Sequence, residues 1–135
     1  LERFCKNFEL LDDNTKKRLV VENDDSPNEF SVKDLIKGVH LRIGIPVVFD
    51  YFHHKFNTGG LTEKEALIAA AATWPDDIKQ CCHYSESRRK EKLDESIRPQ
   101  AHSDLIYKEI NTYGLDPDIV IEAKLKEQAI FKRVI

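Results

Sequence analysis

Methionine is absent from this chain, and cysteine occurs only three times. Two of those cysteines, Cys81 and Cys82, are adjacent, so no disulfide framework is expected. A reducing intracellular compartment, cytoplasmic or nucleoid/nuclear, fits better than an oxidising one. No apolar run approaches the ~20 residues that a bilayer span needs, and no signal peptide opens the chain. An excess of positive charge is missing too. The net charge of −3 excludes a generic nucleic-acid binder held by overall charge. It leaves room for a DNA enzyme, because carboxylates gathered around bound metals are neutralised locally. The missing methionines include an initiator. The sequence opens on Leu1, Phe4, Cys5, Phe8 and Leu11, an amphipathic helical spacing already under way. It is therefore expected to be a piece of something longer.

What is present reads as one domain of 135 residues, 41% hydrophobic and 33% charged. The most telling stretch is Pro46-Val47-Val48-Phe49-Asp50-Tyr51-Phe52-His53-His54. A short apolar run opened by proline predicts a strand buried on both faces, and it ends in a carboxylate and two imidazoles. The same grammar recurs. Leu19-Val20-Val21 predicts a buried strand ending in Glu22, Ile78 to Cys82 a weaker one ending at His83, and Ile119-Val120-Ile121 one ending in Glu122. Between them, Ser31 with Asp34 and Thr62 with Glu65 predict capped helices. A charged surface segment is expected over 86–95. A further helix is expected from His102 through Ile110, closed by Gly114, and a short last one through Ala129 and Ile130.

Strand, polar loop and helix thus repeat four times on the scale of βα units. The expected fold is α/β, a partial (β/α)8 TIM barrel of four βα units. Its length is about half the ~250 residues of a complete barrel. The main alternative is an independent four-stranded α/β domain. Active sites of such folds lie at the C-terminal ends of strands, where Glu22, Asp50, His83 and Glu122 are expected.

Several ordered motifs carry a family resemblance: Glu22-Asn23-Asp24-Asp25, Ile45 to Asp50 with His53-His54, His83-x-Ser85, Ala101-His102, and Ile121-Glu122-Ala123-Lys124-x-Lys126. The chain resembles the C-terminal half of the UV damage endonucleases, metal-dependent barrel enzymes that nick DNA 5′ to ultraviolet photoproducts. The resemblance implies that residues 1–135 are the C-terminal half of such a domain. It implies metal ligation by Glu22, Asp50, His53, His83, His102 and Glu122, with Glu22 and Glu122 bridging. Glu22, Asp50, His83 and Glu122 would carry catalysis. Mn2+ is the expected ion, with Zn2+ or Mg2+ as alternatives, and damaged double-stranded DNA is the expected partner. Such a cluster needs no nucleophilic side chain, since a bound metal activates water and neutralises charge on the phosphate. One departure stands out: Cys81 occupies the place where the family carries a lysine capable of modification to a metal-bridging carbamate.

Arg88, in the basic run Arg88-Arg89-Lys90, and Lys124 are candidate contacts to the DNA backbone. His40 reads as structural and Trp74 as packing, His54 as a surface residue or a support for the ligands, and Asp24 and Asp25 as loop residues or supports for the ligands. A sugar isomerase or epimerase, or an apurinic-site endonuclease, on the same barrel is the competing function. The chain alone is expected to have weak or no activity, and to dimerise through open strand edges.

Overall fold

A computed structural model describes residues 1–134. Four short strands, β1 (Val21–Glu22), β2 (Val47–Asp50), β3 (Cys81–Tyr84) and β4 (Asp118–Ile121), form one sheet in strict chain order, every neighbouring pair parallel. An unreversed parallel order is that of a barrel wall, whereas a doubly wound sheet changes direction at a switch point. The architecture is therefore a partial α/β barrel. Among the described residues, no helix is long and apolar enough to cross a membrane.

Helices α1 (Glu2–Phe8) and α2 (Asp13–Lys16) precede the sheet. Ser31 and Asp34 form the expected capping box of α3 (Val32–Leu35), which runs through a π-helical turn, Ile36–His40, into α4 (Leu41–Ile43). Gly44 ends that helix at φ 77°, a left-handed conformation that glycine takes without a Cβ penalty. After β2 come α5 (Tyr51–His54) and α6 (Glu63–Ala71), the latter opened by the Thr62–Glu65 capping box. Helix α7 (Arg88–Lys92) follows β3, and α8 (Gln128–Val134) follows β4.

The core lies between sheet and helices. Val47, Phe49, Cys82 and Tyr84 point outward from the barrel against Val32, Leu35, Val39, Ala66, Leu67 and Ala70. Ala66 and Ala70, one helical turn apart, let α6 sit close on β2, and burial of Phe49 contributes roughly 2–3 kcal/mol. The loop before β3 helps hold β2: the Val47 N–H donates to Thr73 Oγ1 (2.9 Å), and Trp74 Nε1 donates to the Val47 carbonyl (2.9 Å). His40 is structural as well, its Nδ1 lying 3.0 Å from the Ile45 carbonyl.

Four expectations need correction. Strand β1 is Val21–Glu22, and Val20 is exposed, because among the described residues β1 has a neighbour on one side only. Strand β3 starts at Cys81, not Ile78, which lies in the turn following Pro75. The 86–95 segment is not a plain surface loop: it contains α7, and Glu86 is buried. No helix starts at His102. Residues 103–117 are irregular, and the Glu86 and Glu91 carboxylates, not helical carbonyls, accept the Asp104, Leu105, Tyr107 and Lys108 N–H groups; Gly114 sits in a turn at φ 83°.

Within the sheet, registration puts Glu22, Val48, Cys81 and Asp118 in one inward-facing row and Asp50, His83 and Val120 in the next. Val20 and Val120 are exposed on this face, and β1 and β4 each leave one edge unpaired among the described residues. Such edges invite pairing with another chain. Sedimentation velocity at rising concentration should show association of the isolated chain, and a strictly monomeric profile would refute that expectation.

Candidate metal centre

The C-terminal ends of the four strands bring six predicted ligands into one arc of alternating imidazoles and carboxylates. Glu22 lies between two rings, with Oε1 3.3 Å from His53 Nδ1 and Oε2 3.2 Å from His83 Nδ1. Glu122, the residue after β4, also lies between two: Oε1 is 3.7 Å from His83 Nδ1 and Oε2 3.8 Å from His102 Nδ1. Asp50 completes the arc behind His53, with Oδ2 3.7 Å from His53 Nδ1. Ligand atoms of Glu22, Asp50 and His53 lie within 4.8 Å of one another, as do those of Asp50, His83 and Glu122. Both carboxylates expected to bridge therefore sit between imidazoles. His102 stands at the outer end, its backbone bridged to Ser87 and its ring edge-on to Phe52 at 5.8 Å.

Each ligand is aimed by local structure. Asp50 is fully buried and divides its carboxylate between two jobs. Oδ1 caps α5, accepting from the Phe52 (2.7 Å) and His53 (2.8 Å) N–H groups, while Oδ2 has no hydrogen-bond partner. Asn23, 1% exposed, clamps the Asp50 backbone. Its Oδ1 accepts the Asp50 N–H (2.8 Å), and its Nδ2 donates to the Asp50 carbonyl (3.1 Å). This side-chain bridge carries the β1–β2 pairing past the end of β1. The Asn23 backbone carbonyl meanwhile accepts a hydrogen bond from His53 Nδ1–H (2.8 Å). A carbonyl only accepts, so the neutral His53 ring holds its lone pair on Nε2. No role for Asn23 follows from the sequence motif that contains it. The signal available was its place directly after a strand-end carboxylate.

Three carboxylates converge here, and among the described residues none has a lysine or arginine partner; their ion pairs are all to histidine. The charges shape one another. Burial, opposed by the His53 N–H and ring, pushes the Asp50 carboxyl up to about 7, and neighbouring Glu22 adds to the rise. Desolvation raises Glu22 as well, but the His83 ring 3.2 Å away outweighs it and holds Glu22 below the usual carboxylate range. His83 is raised chiefly by Glu22. Burial would lower His53, yet Asp50, the Asn23 carbonyl and Glu22 raise it. His102 is lowered, by burial first. Although 3.2 Å from Glu22, buried His83 Nδ1 makes no well-directed hydrogen bond. Together with Asp50 Oδ2 it is an orphaned donor atom turned toward its neighbours. This N/O set of three carboxylates and three imidazoles fits a divalent cation.

Cys81 lies on the same inward face, one row below His83. Burial first, then Asp118 and Glu22, pushes its thiol pKa up, so without metal Cys81 is a protonated thiol. Buried His54 packs on Phe49, and Asp24 accepts from the Ser26 N–H in its own loop. Arg88 ion-pairs with Asp104 (2.7 Å), and Lys124 is exposed beyond Glu122, close enough that its charge is felt at His102.

The chain has relatives among known proteins. The chain is 38% identical to a UV-damage endonuclease of Schizosaccharomyces pombe over 98% of its length, and 32% identical to a UV DNA damage endonuclease of Clostridium perfringens over 97%. It spans only 22% and 32% of those proteins. The crystal structure of SacUVDE superposes with a TM-score of 0.79 at 35% identity, covering 98% of this chain and 44% of that one. The model of the family described as UV-endonuclease UvdE matches residues 1–134, and the chain belongs to that family.

Proposed function

We propose that residues 1–135 supply the C-terminal half of a barrel domain that hydrolyses a phosphodiester of damaged duplex DNA, nicking it 5′ to ultraviolet photoproducts. The arc His53–Glu22–His83–Glu122–His102 at the strand ends of a UvdE-family barrel, with Asp50 behind His53, carries this reading. Glu22, Asp50, His53, His83, His102 and Glu122 would hold divalent metal, Mn2+ by preference. Bound there, such ions would supply Lewis acidity toward the phosphoryl group.

The remaining work belongs to the chain. Glu22 and Glu122, each between two imidazoles, set the spacing of the cluster. Asp50 presents one charged oxygen while its other oxygen is locked into the α5 cap. Asn23 keeps the Asp50 backbone and the His53 tautomer fixed, so little reorganisation is left for the moment of reaction. Lys124 and the guanidinium nitrogens of Arg88 not used by Asp104 face the DNA backbone. Ultraviolet-irradiated duplex with Mn2+ is the test: the intact protein carrying this chain should nick it, and Glu22→Gln should lower the rate by about 10³-fold or more. Irradiated duplex left intact across several divalent metals would overturn the reading.

A further inference from the structure

Beside the metal arc, on the far side of Phe52, lies a cleft of about 670 Å³. Its apolar lining includes Phe52, Phe56 and Tyr107, and Lys55, Lys90 and Lys108 stand around it. These lysines come from three separate places: the C-cap of α5, the middle of α7, and the irregular segment after β3. Glutamates also line the cleft, but their carboxylate oxygens are engaged by internal donors. Glu86 accepts from the Tyr84 hydroxyl and the Tyr107 and Lys108 N–H groups. Glu91 accepts from the Asp104 and Leu105 N–H groups and the Tyr107 hydroxyl, and Glu95 pairs with Arg89.

The other basic residues of the run are committed as well. Arg88 and Lys92 both pair with Asp104. Among the described residues, Lys55, Lys90 and Lys108 have no carboxylate within 4.0 Å; Lys55 lies over the Phe52 ring at 5.7 Å. Three unpaired ammonium groups around one concave surface repel one another, and polyanion binding relieves that repulsion.

We propose that Lys55, Lys90 and Lys108 form a subsite for the phosphate backbone of duplex DNA, one that holds a strand running past His102. The pairs Arg89–Glu95 and Lys92–Asp104 are the scaffold of this subsite and not its contacts. The inference rests on the reading of the chain as part of a DNA enzyme, and it adds which cations meet the strand.

The test is the salt dependence of binding to an undamaged duplex of 20 base pairs, read by fluorescence anisotropy with metal chelated. Each phosphate neutralised contributes about 0.9 to the slope of log K against log salt. The variant Lys55→Gln/Lys90→Gln/Lys108→Gln should lose about 2.7 from that slope, while Lys55→Arg/Lys90→Arg/Lys108→Arg keeps it and Lys37→Gln, in the π-helical turn and outside the cleft lining, changes nothing. Matching thermal melts show that the variants fold. An unchanged slope in the glutamine variant overturns the subsite, as does a single-stranded RNA of equal length that displaces the duplex. Nicking with an unchanged slope sinks this inference alone. A reduced slope without nicking sinks the nuclease reading and leaves the subsite standing.

Discussion

Asp50→Asn is expected to abolish stabilisation by divalent metal while leaving the metal-free chain as stable as the wild type, or more so, at pH 8. Asparagine caps a helix as well as aspartate does, so the Oδ1 contacts to the Phe52 and His53 N–H groups survive. What disappears is the charge on Oδ2, buried beside Glu22 and His53. The carboxyl of Asp50 is pushed up to about 7 in the folded chain, against about 3.9 unfolded. Between those values the folded chain binds more protons than the unfolded one, so the contribution is full below about pH 4 and is lost as pH rises through 7. His53 and His83, also raised, lose their contributions in the same direction above their ordinary range. Wild type without metal should therefore weaken by on the order of 2–4 kcal/mol between pH 5 and 8, less what His54 and His102, both lowered by burial, gain over the same range. Asp50→Asn should lack the Asp50 share of that slope. Mn2+ at a hundred times its dissociation constant should restore about 2.7 kcal/mol to the wild type and nothing to the variant. Urea melts at both pH values, with and without metal, read all four quantities. A wild-type metal shift retained in the variant, or wild-type stability rising from pH 5 to 8 without metal, would sink the argument.

The second large effect is expected at a residue that is not itself a ligand. Asn23→Ala removes both partners of the Asp50 backbone in a site closed to water. Each buried backbone group left unsatisfied costs about 1–3 kcal/mol, so a total near 3–4 kcal/mol follows. Asn23→Asp is no rescue. It can accept from the Asp50 N–H, but it offers no donor to the carbonyl and adds a fourth carboxylate to the cluster. Denaturant midpoints should fall for both variants, and metal affinity should fall with them because His53 and Asp50 lose their common support. Near-wild-type stability in Asn23→Ala would show that the clamp is incidental.

The strand ends were legible because burial on both faces makes a strand read as an unbroken apolar run, and a charged residue at its end has few explanations. Val47 to Asp50 and the two capping boxes are cases where pattern and local chemistry agree. The segment from Glu86 to Pro117 was not legible for the opposite reason. Its order comes from Glu86 and Glu91 accepting backbone N–H groups that lie 13 to 22 residues away, and no local period announces such contacts. The basic run misled for a related reason. Composition shows positive charge but not which cations are already paired, and the three left over include Lys55 and Lys108 from outside the run.

The arc at the strand ends also has a kinetic meaning. Glu22 and Glu122 are about 100 residues apart in sequence, yet both lie against His83. Contacts that distant close late, after the shorter loops between neighbouring strands. A cation that needs ligands from β1 and from the end of β4 can be held tightly only once the last strand has docked. Metal affinity in this chain would then be largely folding free energy. Metal would slow unfolding far more than it hastens folding, acting as a latch on the finished sheet and not as a nucleus for it.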